Sequence, residues 1–149
     1  MTPICSIAVL NGPNLNMLGM REPDIYGHQT LADIEAKCRK LASEKQLEMD
    51  WYQSNLEGEL ITKIQSLAGS VDWIIINAAG LTHTSVALRD ALSLFPGGVI
   101  EVHLSNIHAR ETFRHTSLIS AIAKGVIAGF GAKSYYLAID AISHLNLET

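Results

Sequence analysis

The feature that most constrains the fold of this chain is the alternation of short apolar runs with longer segments of helical periodicity. Residues 6–10 (SIAVL) and residues 72–77 (DWIIIN) are continuous apolar runs. Such runs are typical of strands that are buried on both faces, as in a parallel sheet. The sequence predicts five strands, at residues 6–10, 47–53, 72–77, 99–103 and 125–129.

Single helices are predicted between these strands. Residues 31–45 carry apolar side chains at helical spacing, and Thr30 with Asp33 has the pattern of a capping box. The other predicted segments are helices at 57–67, 85–94 and 132–145 and an irregular stretch at 105–120. One helix between successive strands implies right-handed crossovers and a parallel sheet. We therefore predict an α/β fold with one domain over residues 1–149, a flavodoxin-like doubly wound sheet of five parallel strands in the order 2-1-3-4-5.

Composition narrows the class of protein. The chain has 149 residues, 48% of them hydrophobic and 17% charged, which argues against disorder. The net charge of −4 argues against a nucleic-acid partner, because such proteins carry a basic excess. Neither a signal peptide nor an apolar stretch of bilayer length is recognisable, so we predict a cytoplasmic protein with no membrane partner. The low proportion of charged residues favours a homo-oligomer.

The predicted topology locates the functional site before any motif is considered. In an open parallel sheet, ligands bind beyond the carboxyl ends of the strands at the switch point, here between strands one and three. The loop after strand one spans residues 11–30 and is longer than a usual strand-to-helix connection. It contains Asn14, Arg21 and Tyr26, which predicts a lid over the site. The alternative is a simple exit turn, since asparagine, glycine and proline are common turn residues.

The loop after strand three contains a second group of polar residues. Asn77 ends an apolar run, and His83 comes just before a predicted helix. His83 is either a site residue or part of the helix cap. Thr84 and Ser85 are predicted to cap the helix rather than to act as nucleophiles, because no G-x-S-x-G elbow surrounds them.

After strand four, Glu101 and His103 stand two residues apart. Their side chains are therefore expected on the same face of the strand. A carboxylate beside an imidazole orients the ring and tunes its proton affinity. The alternative is an ordinary core histidine at the end of a strand.

Further along, Arg110 and Arg114 have helical i, i+4 spacing, and they either bind a ligand or form a solvated basic turn. Three histidines in this region, His103, His108 and His115, lack the spacing of a metal site such as H-E-x-x-H, and the two cysteines form no C-x-x-C pair. We predict no bound metal. The remaining inventory of side chains suits proton transfer on a polar, anionic metabolite.

Three segments, LNGPNLNMLGMREPDIYG, INAAGLTHTSVALRDAL and IEVHLSNIHARETFRH, closely resemble the signature segments of type II 3-dehydroquinate dehydratase. The resemblance continues through QSNLEGELI and AKGVIAGFGAKSYYLAI and so covers nearly the whole chain. It implies elimination of water from 3-dehydroquinate to give 3-dehydroshikimate in the shikimate pathway. It also implies that no metal or cofactor is used and that the protein assembles as a dodecamer built from trimers.

The resemblance also assigns roles to individual residues. Tyr26 matches the proton acceptor, His103 the proton donor and Arg21 a lid arginine that stabilises the transition state. Asn14 matches a residue that positions a water near the enolate, and Glu101 one that orients the histidine. The implied substrate-binding residues are Asn77, His83, Leu104, Ser105 and Arg114, with Asp90 supplied by a neighbouring subunit.

Elementary chemistry agrees with these roles. A proton lost from the carbon next to a ketone leaves an enolate, whose charge must be met by hydrogen-bond donors. A tyrosine is a weak base near neutral pH unless a nearby cation such as Arg21 favours its phenolate. Two alternatives stay open: the same reaction in quinate breakdown, and a flavodoxin-like binding or signalling module. A flavin-binding module is expected to have a phosphate loop after strand one, and a signalling receiver an aspartate at the end of strand three, where this chain has Asn77.

Overall fold

The computed structural model of the chain describes residues 4–20, 24 and 28–147. Its central feature is a parallel sheet of five strands in the order β2-β1-β3-β4-β5. The strands are β1 (Ser6–Asn11), β2 (Glu48–Gln53), β3 (Trp73–Asn77), β4 (Gly98–His103) and β5 (Gly125–Ala128). The predicted fold class and strand order are confirmed.

In the part of the chain that the structure describes, four helices cover the two faces of the sheet. They are α1 (Leu31–Glu44), α2 (Glu57–Leu67), α3 (Val86–Leu94) and α4 (Lys133–Leu147). Helices α1 and α4 pack on one face, and α2 and α3 pack on the other. The predicted capping box starts α1, since Thr30 Oγ1 accepts from Asp33 N at 3.1 Å and Asp33 Oδ2 accepts from Thr30 N at 3.0 Å. Ser85 caps α3 through a 2.9 Å hydrogen bond from Leu88 N, as expected.

Alternate residues of each central strand enter opposite cores. In β3, Ile75 joins the core under α1 and α4, whereas Ile74 and Ile76 join the core under α2 and α3. All three side chains are fully buried, and each such burial contributes about 1.5–3 kcal/mol to stability. Continuous apolar runs in the sequence therefore correspond to strands covered on both faces. The strand order places the switch point between β1 and β3.

The predicted irregular segment at 105–120 is a series of short 3-10 turns rather than a helix. The turns are Ile107–Ala109 and Thr112–Arg114, and a third, Ser120–Ile122, starts at its end. Arg110 and Arg114 therefore do not share a helix face, despite their i, i+4 spacing. No helix in the described part of the chain has the length and apolar character needed to cross a membrane.

Candidate active site

The loops that follow β1 and β3 lie side by side at the switch point. Gly12 N donates a 2.8 Å hydrogen bond to Asn77 O, and a Cβ at Gly12 would lie only 2.5 Å from Ala78 O. Only glycine allows this approach. Beyond it, Asn14 and Ala79 both have left-handed backbone, with φ of 72° and 53°. Asparagine tolerates left-handed backbone, but at Ala79 it is strained, and such strain is often concentrated at functional sites.

Between these loops and the end of β4 lies a cavity of about 160 Å³. This is smaller than the roughly 300–1,000 Å³ pockets that hold drug-sized ligands, so it suits a small metabolite. Seven of the predicted site residues line it: Asn14, Asn77, His83, His103, Leu104, Ser105 and Arg114. The structure therefore brings together residues that come from three separate loops.

At the end of β4, the His103 ring lies between the cavity and a buried carboxylate. His103 Nε2 contacts Glu101 Oε2, and the two side chains are 6% and 1% exposed. Because Nε2 faces Glu101, Nδ1 is the ring nitrogen left for a ligand in the cavity. The predicted pairing of these two residues on one face of the strand is confirmed, and His103 is not an isolated core histidine.

Two hydroxyl groups hold the carboxylate of Glu101 from the other side. Ser120 Oγ donates to Oε1 at 2.7 Å, and Ser117 Oγ lies 3.0 Å from Oε1 and 2.9 Å from Oε2. Burial raises the pKa of the Glu101 carboxyl, but the hydrogen bonds from His103, Ser120 and Ser117 outweigh it. The net pKa is lowered, so Glu101 is a buried anion at neutral pH.

Asn77 reaches the cavity from β3 with its amide group fixed. Its Nδ2 donates to the Tyr135 hydroxyl at 2.9 Å, and its Oδ1 accepts from Ala79 N at 3.1 Å. Burial raises the pKa of Tyr135 well above its ordinary value, so this phenol stays neutral and serves as a hydrogen-bonding group. Asn77 therefore holds the strained turn at Ala79 while its second N–H remains for a ligand.

His83 ends the 3-10 turn Ala79–His83 and faces the cavity from the side of α3. Its Nδ1 lies 2.9 Å from Thr116 O, and a carbonyl can only accept, so Nδ1 carries a proton. In a neutral ring, Nε2 is then a hydrogen-bond acceptor. Since Ser85 caps α3, the role of His83 is separate from the helix cap.

Two arginines give the cavity a positive wall. Arg110 and Arg114 both line it, with side chains 17% and 22% exposed. Arg114 Nε donates to Glu111 Oε1 at 3.0 Å, while Glu111 itself is half exposed. No aspartate or glutamate is among the described residues that line the cavity. The two arginines are therefore not a solvated turn, and the wall suits an anionic ligand.

The other predicted site residues lie elsewhere. Asp90 is exposed on α3 and does not line the cavity of its own chain, and Glu101 stands behind His103. Arg21 and Tyr26 lie outside the described residues. The sequence did not assign several lining residues to the site: Pro13, Leu15, Met17, Leu18, Ala79, Gly80, Ile107 and Arg110. Of these, only Arg110 carried a signal, its spacing from Arg114.

The chain is similar to known proteins over nearly its whole length. The sequence model of the family described as "Dehydroquinase class II" matches residues 5–143, which is nearly all of the chain. The chain belongs to the class II dehydroquinase family. The family resemblance predicted from the sequence is confirmed.

Individual members of the class II dehydroquinase family support this assignment. A protein named 3-dehydroquinate dehydratase from Synechococcus sp. (strain WH7803) is 54% identical over 140 residues, 93% of this chain and 95% of that protein. The crystal structure of type II dehydroquinase from Butyrivibrio crossotus has a TM-score of 0.91 at 42% identity, covering 93% of this chain and 97% of that one. The type II dehydroquinase from Propionibacterium acnes also gives 0.91, at 40% identity, with 95% and 99% covered.

Proposed function

We propose that this chain is a hydro-lyase that converts 3-dehydroquinate into 3-dehydroshikimate through an enolate. The observation that carries the proposal is the His103–Glu101 pair, which presents an oriented imidazole to a small cavity with arginines in its wall. Relatives that are more than half identical to the chain are named for this dehydration. An imidazole held by a buried anion is a suitable proton donor for a leaving hydroxyl group.

The first step is removal of a proton from the carbon next to the ketone. We assign this step to Tyr26 as base, with Arg21 favouring its phenolate; both assignments rest on the family resemblance. The electron pair of the broken C–H bond forms the enolate. Asn14, whose main chain is held by a 2.9 Å hydrogen bond from its N–H to Asn55 Oδ1, positions a water molecule that donates to the enolate oxygen.

The second step is loss of the hydroxyl group on the next carbon. The enolate collapses to restore the ketone, a C=C bond forms, and the C–O bond breaks. His103 supplies the proton that turns the departing oxygen into water, and Glu101 stabilises the imidazolium before transfer. The proton removed by Tyr26 must return to His103 through solvent, so the enzyme is regenerated without a co-reactant.

Several groups bind the substrate. Arg114, His83 and the second N–H of Asn77 provide hydrogen bonds to its hydroxyl groups, and the main-chain amides of Leu104 and Ser105 hold its carboxylate. Asp90 serves the site of a neighbouring subunit. These assignments fit the positive wall of the cavity and the exposure of Asp90.

The wider setting of the enzyme is also proposed. We infer a single catalytic domain that needs no metal or cofactor, assembles as a homododecamer and acts in the cytoplasm in the biosynthesis of aromatic amino acids. Loss of the gene is expected to make growth depend on added aromatic amino acids. Growth that fails only on quinate as carbon source would instead indicate quinate breakdown.

The test of the reaction is an ultraviolet assay with 3-dehydroquinate. The product is a conjugated enone, so absorbance is expected to rise on addition of the purified protein. His103→Ala is expected to abolish the rise, whereas Lys37→Ala, on an exposed position of α1, is expected to retain it. A folded wild-type protein that forms no enone contradicts the proposal, and a flavin spectrum in the purified protein would favour the binding-module alternative.

A further inference from the structure

The buried carboxylate of Glu101 is held by more donors than its contact with His103 requires. Three donor groups surround it: His103 Nε2 at Oε2, Ser120 Oγ at Oε1, and Ser117 Oγ between the two oxygens. Both serines lie in the segment between the Thr112–Arg114 turn and β5. No sequence motif assigned a catalytic role to this segment.

The contacts of Ser117 Oγ leave the Glu101 carboxylate as the acceptor for its hydroxyl hydrogen. Ser117 Oγ accepts from Ile119 N and from Ser120 N, each at 3.1 Å. With its lone pairs engaged by these two N–H groups, the hydroxyl must donate its own hydrogen to the carboxylate. The segment is fixed in turn by a 2.9 Å hydrogen bond from Leu118 N to Thr82 O. The backbone turn therefore aims Ser117 at Glu101.

We propose that Ser117 and Ser120 are positioning residues that keep Glu101 ionised against His103. The proposal rests on the proposed function, in which His103 is the proton donor. An ionised Glu101 accepts from Nε2–H, so that Nδ1 of the imidazolium holds the proton that is transferred. A protonated Glu101 instead donates to Nε2 and leaves a neutral ring, which is a far weaker acid. The two hydroxyls thus hold the state in which His103 can act.

The two hydroxyls act together with His103 on the charge of Glu101. Within the described part of the chain, His103 is the titratable side chain that contacts the carboxylate, and the remaining contacts are the two serines. The carboxylate itself is 1% exposed, so it depends on donors from the protein. A hydrogen bond to a charged group shifts a pKa by about one unit or more.

The test measures the ionisation of Glu101 directly, in the assembled protein. Infrared titration follows the C=O stretch of the protonated carboxyl, assigned by its disappearance in Glu101→Gln. In wild type, the midpoint is expected below the ordinary glutamate value of 4.5. Ser117→Ala and Ser120→Ala are each expected to raise the midpoint by about one pH unit or more. Ser120→Thr, which keeps the hydroxyl, is expected to keep the wild-type midpoint.

A matched control exists in the same chain. Ser54, directly after β2, also donates its hydroxyl to a glutamate, Glu59 on α2. Ser54→Ala is expected to leave the Glu101 midpoint unchanged. In the dehydration assay, the acid limb of the kcat profile is expected to move to higher pH by a similar amount in Ser117→Ala and Ser120→Ala. On that limb kcat is expected to be about tenfold lower than in wild type, with KM little changed.

The outcomes separate this proposal from the proposed function. A wild-type midpoint at or above 4.5 overturns the proposal. So does a midpoint that stays in place when either hydroxyl is removed from a folded protein. A midpoint that rises as expected, in a protein that never dehydrates 3-dehydroquinate, supports the role of the serines and contradicts the reaction alone.

Discussion

The Tyr135 hydroxyl accepts a 2.9 Å hydrogen bond from Asn77 Nδ2 and donates a 2.7 Å hydrogen bond to Asn11 Oδ1. All three side chains are buried, and they come from α4, β3 and β1. A third bond, from Asn11 Nδ2 to Tyr52 O at 3.1 Å, extends the network to β2. Because the two asparagines end the strands that flank the switch point, this network joins the core to the floor of the cavity.

Replacing Tyr135 by phenylalanine is therefore expected to affect both stability and binding. The variant leaves Asn77 Nδ2 and Asn11 Oδ1 buried without a partner, which costs about 1–3 kcal/mol for each unsatisfied group. KM for 3-dehydroquinate is expected to rise as Asn77 loses its fixed orientation. Chemical denaturation and initial rates measure the two effects. Tyr136→Phe, which removes only a 3.4 Å contact with Gln29, is the control, and an equal loss in both variants would contradict this role.

The buried anion at Glu101 predicts a pH dependence of stability. The pKa of Glu101 is lowered in the fold, so its contribution to the free energy of unfolding is complete above the ordinary value of 4.5 and is lost as pH falls through the folded pKa. Glu101→Gln is expected to be less stable than wild type by about 2 kcal/mol at pH 7, and the difference should shrink below pH 4.5. Urea denaturation at several pH values measures it. Glu48→Gln, at an exposed position, should show no such convergence; a difference constant from pH 7 to 3 would contradict the prediction.

The lid assignments predict a loss of turnover without a loss of stability. Tyr26→Phe and Arg21→Ala are each expected to lower kcat by orders of magnitude, because proton abstraction loses its base or the cation that activates it. Both residues lie outside the predicted strands and core helices, so thermal unfolding should barely change. The double variant is expected to be little worse than either single one, since the two residues act as a unit. Near-normal turnover of folded Tyr26→Phe would transfer the role of base to His83.

Assembly is predicted to complete the site. Asp90 is exposed on α3, away from the cavity of its own chain, so its proposed role requires a neighbouring subunit. Light scattering is expected to show a large closed assembly. Asp90→Ala is expected to lower kcat/KM at least tenfold, while Ser93→Ala, exposed on the same helix, should not. A fully active monomer would rule out this role for Asp90.

The proposed enolate mechanism can be distinguished by experiment from an imine mechanism and from a metal-dependent mechanism. The sequence predicts Lys124 within an apolar strand region, but its side chain is exposed just before β5. None of the described residues that line the cavity is a lysine. Borohydride added with 3-dehydroquinate is therefore expected to leave activity intact, and so is a chelator. Inactivation with a borohydride-trapped lysine adduct, found by mass spectrometry, would overturn the enolate mechanism proposed above.

Much of the site could be predicted because the topology converts positions in the sequence into positions in space. Asn77 ends β3, His83 follows it and His103 ends β4, and parallel strands place those ends at one edge of the sheet. The spacing of Arg110 and Arg114 left open a ligand-binding role and a solvated basic turn, and only Arg114 was assigned to the site, through the family resemblance. In the structure both arginines line the cavity, Arg110 directly after one 3-10 turn and Arg114 at the end of the next. Spacing alone could not show which way an irregular segment faces.

The amino-acid sequence by itself determined the strands, their order and the pairing of Glu101 with His103. The strands and the pair depend on local periodicity, since apolar runs predict strands buried on both faces and an interval of two residues places side chains on one side of a strand. The order follows from the single helix between successive strands, which implies right-handed crossovers. Only the tertiary structure decided which groups complete the Glu101–His103 pair and which groups hold Asn77 at the floor of the cavity. Ser117 and Ser120 are 16 and 19 residues from Glu101, and Tyr135 is 58 residues from Asn77. No periodic pattern connects such residues; they meet because a buried polar atom must find a partner within the packed interior.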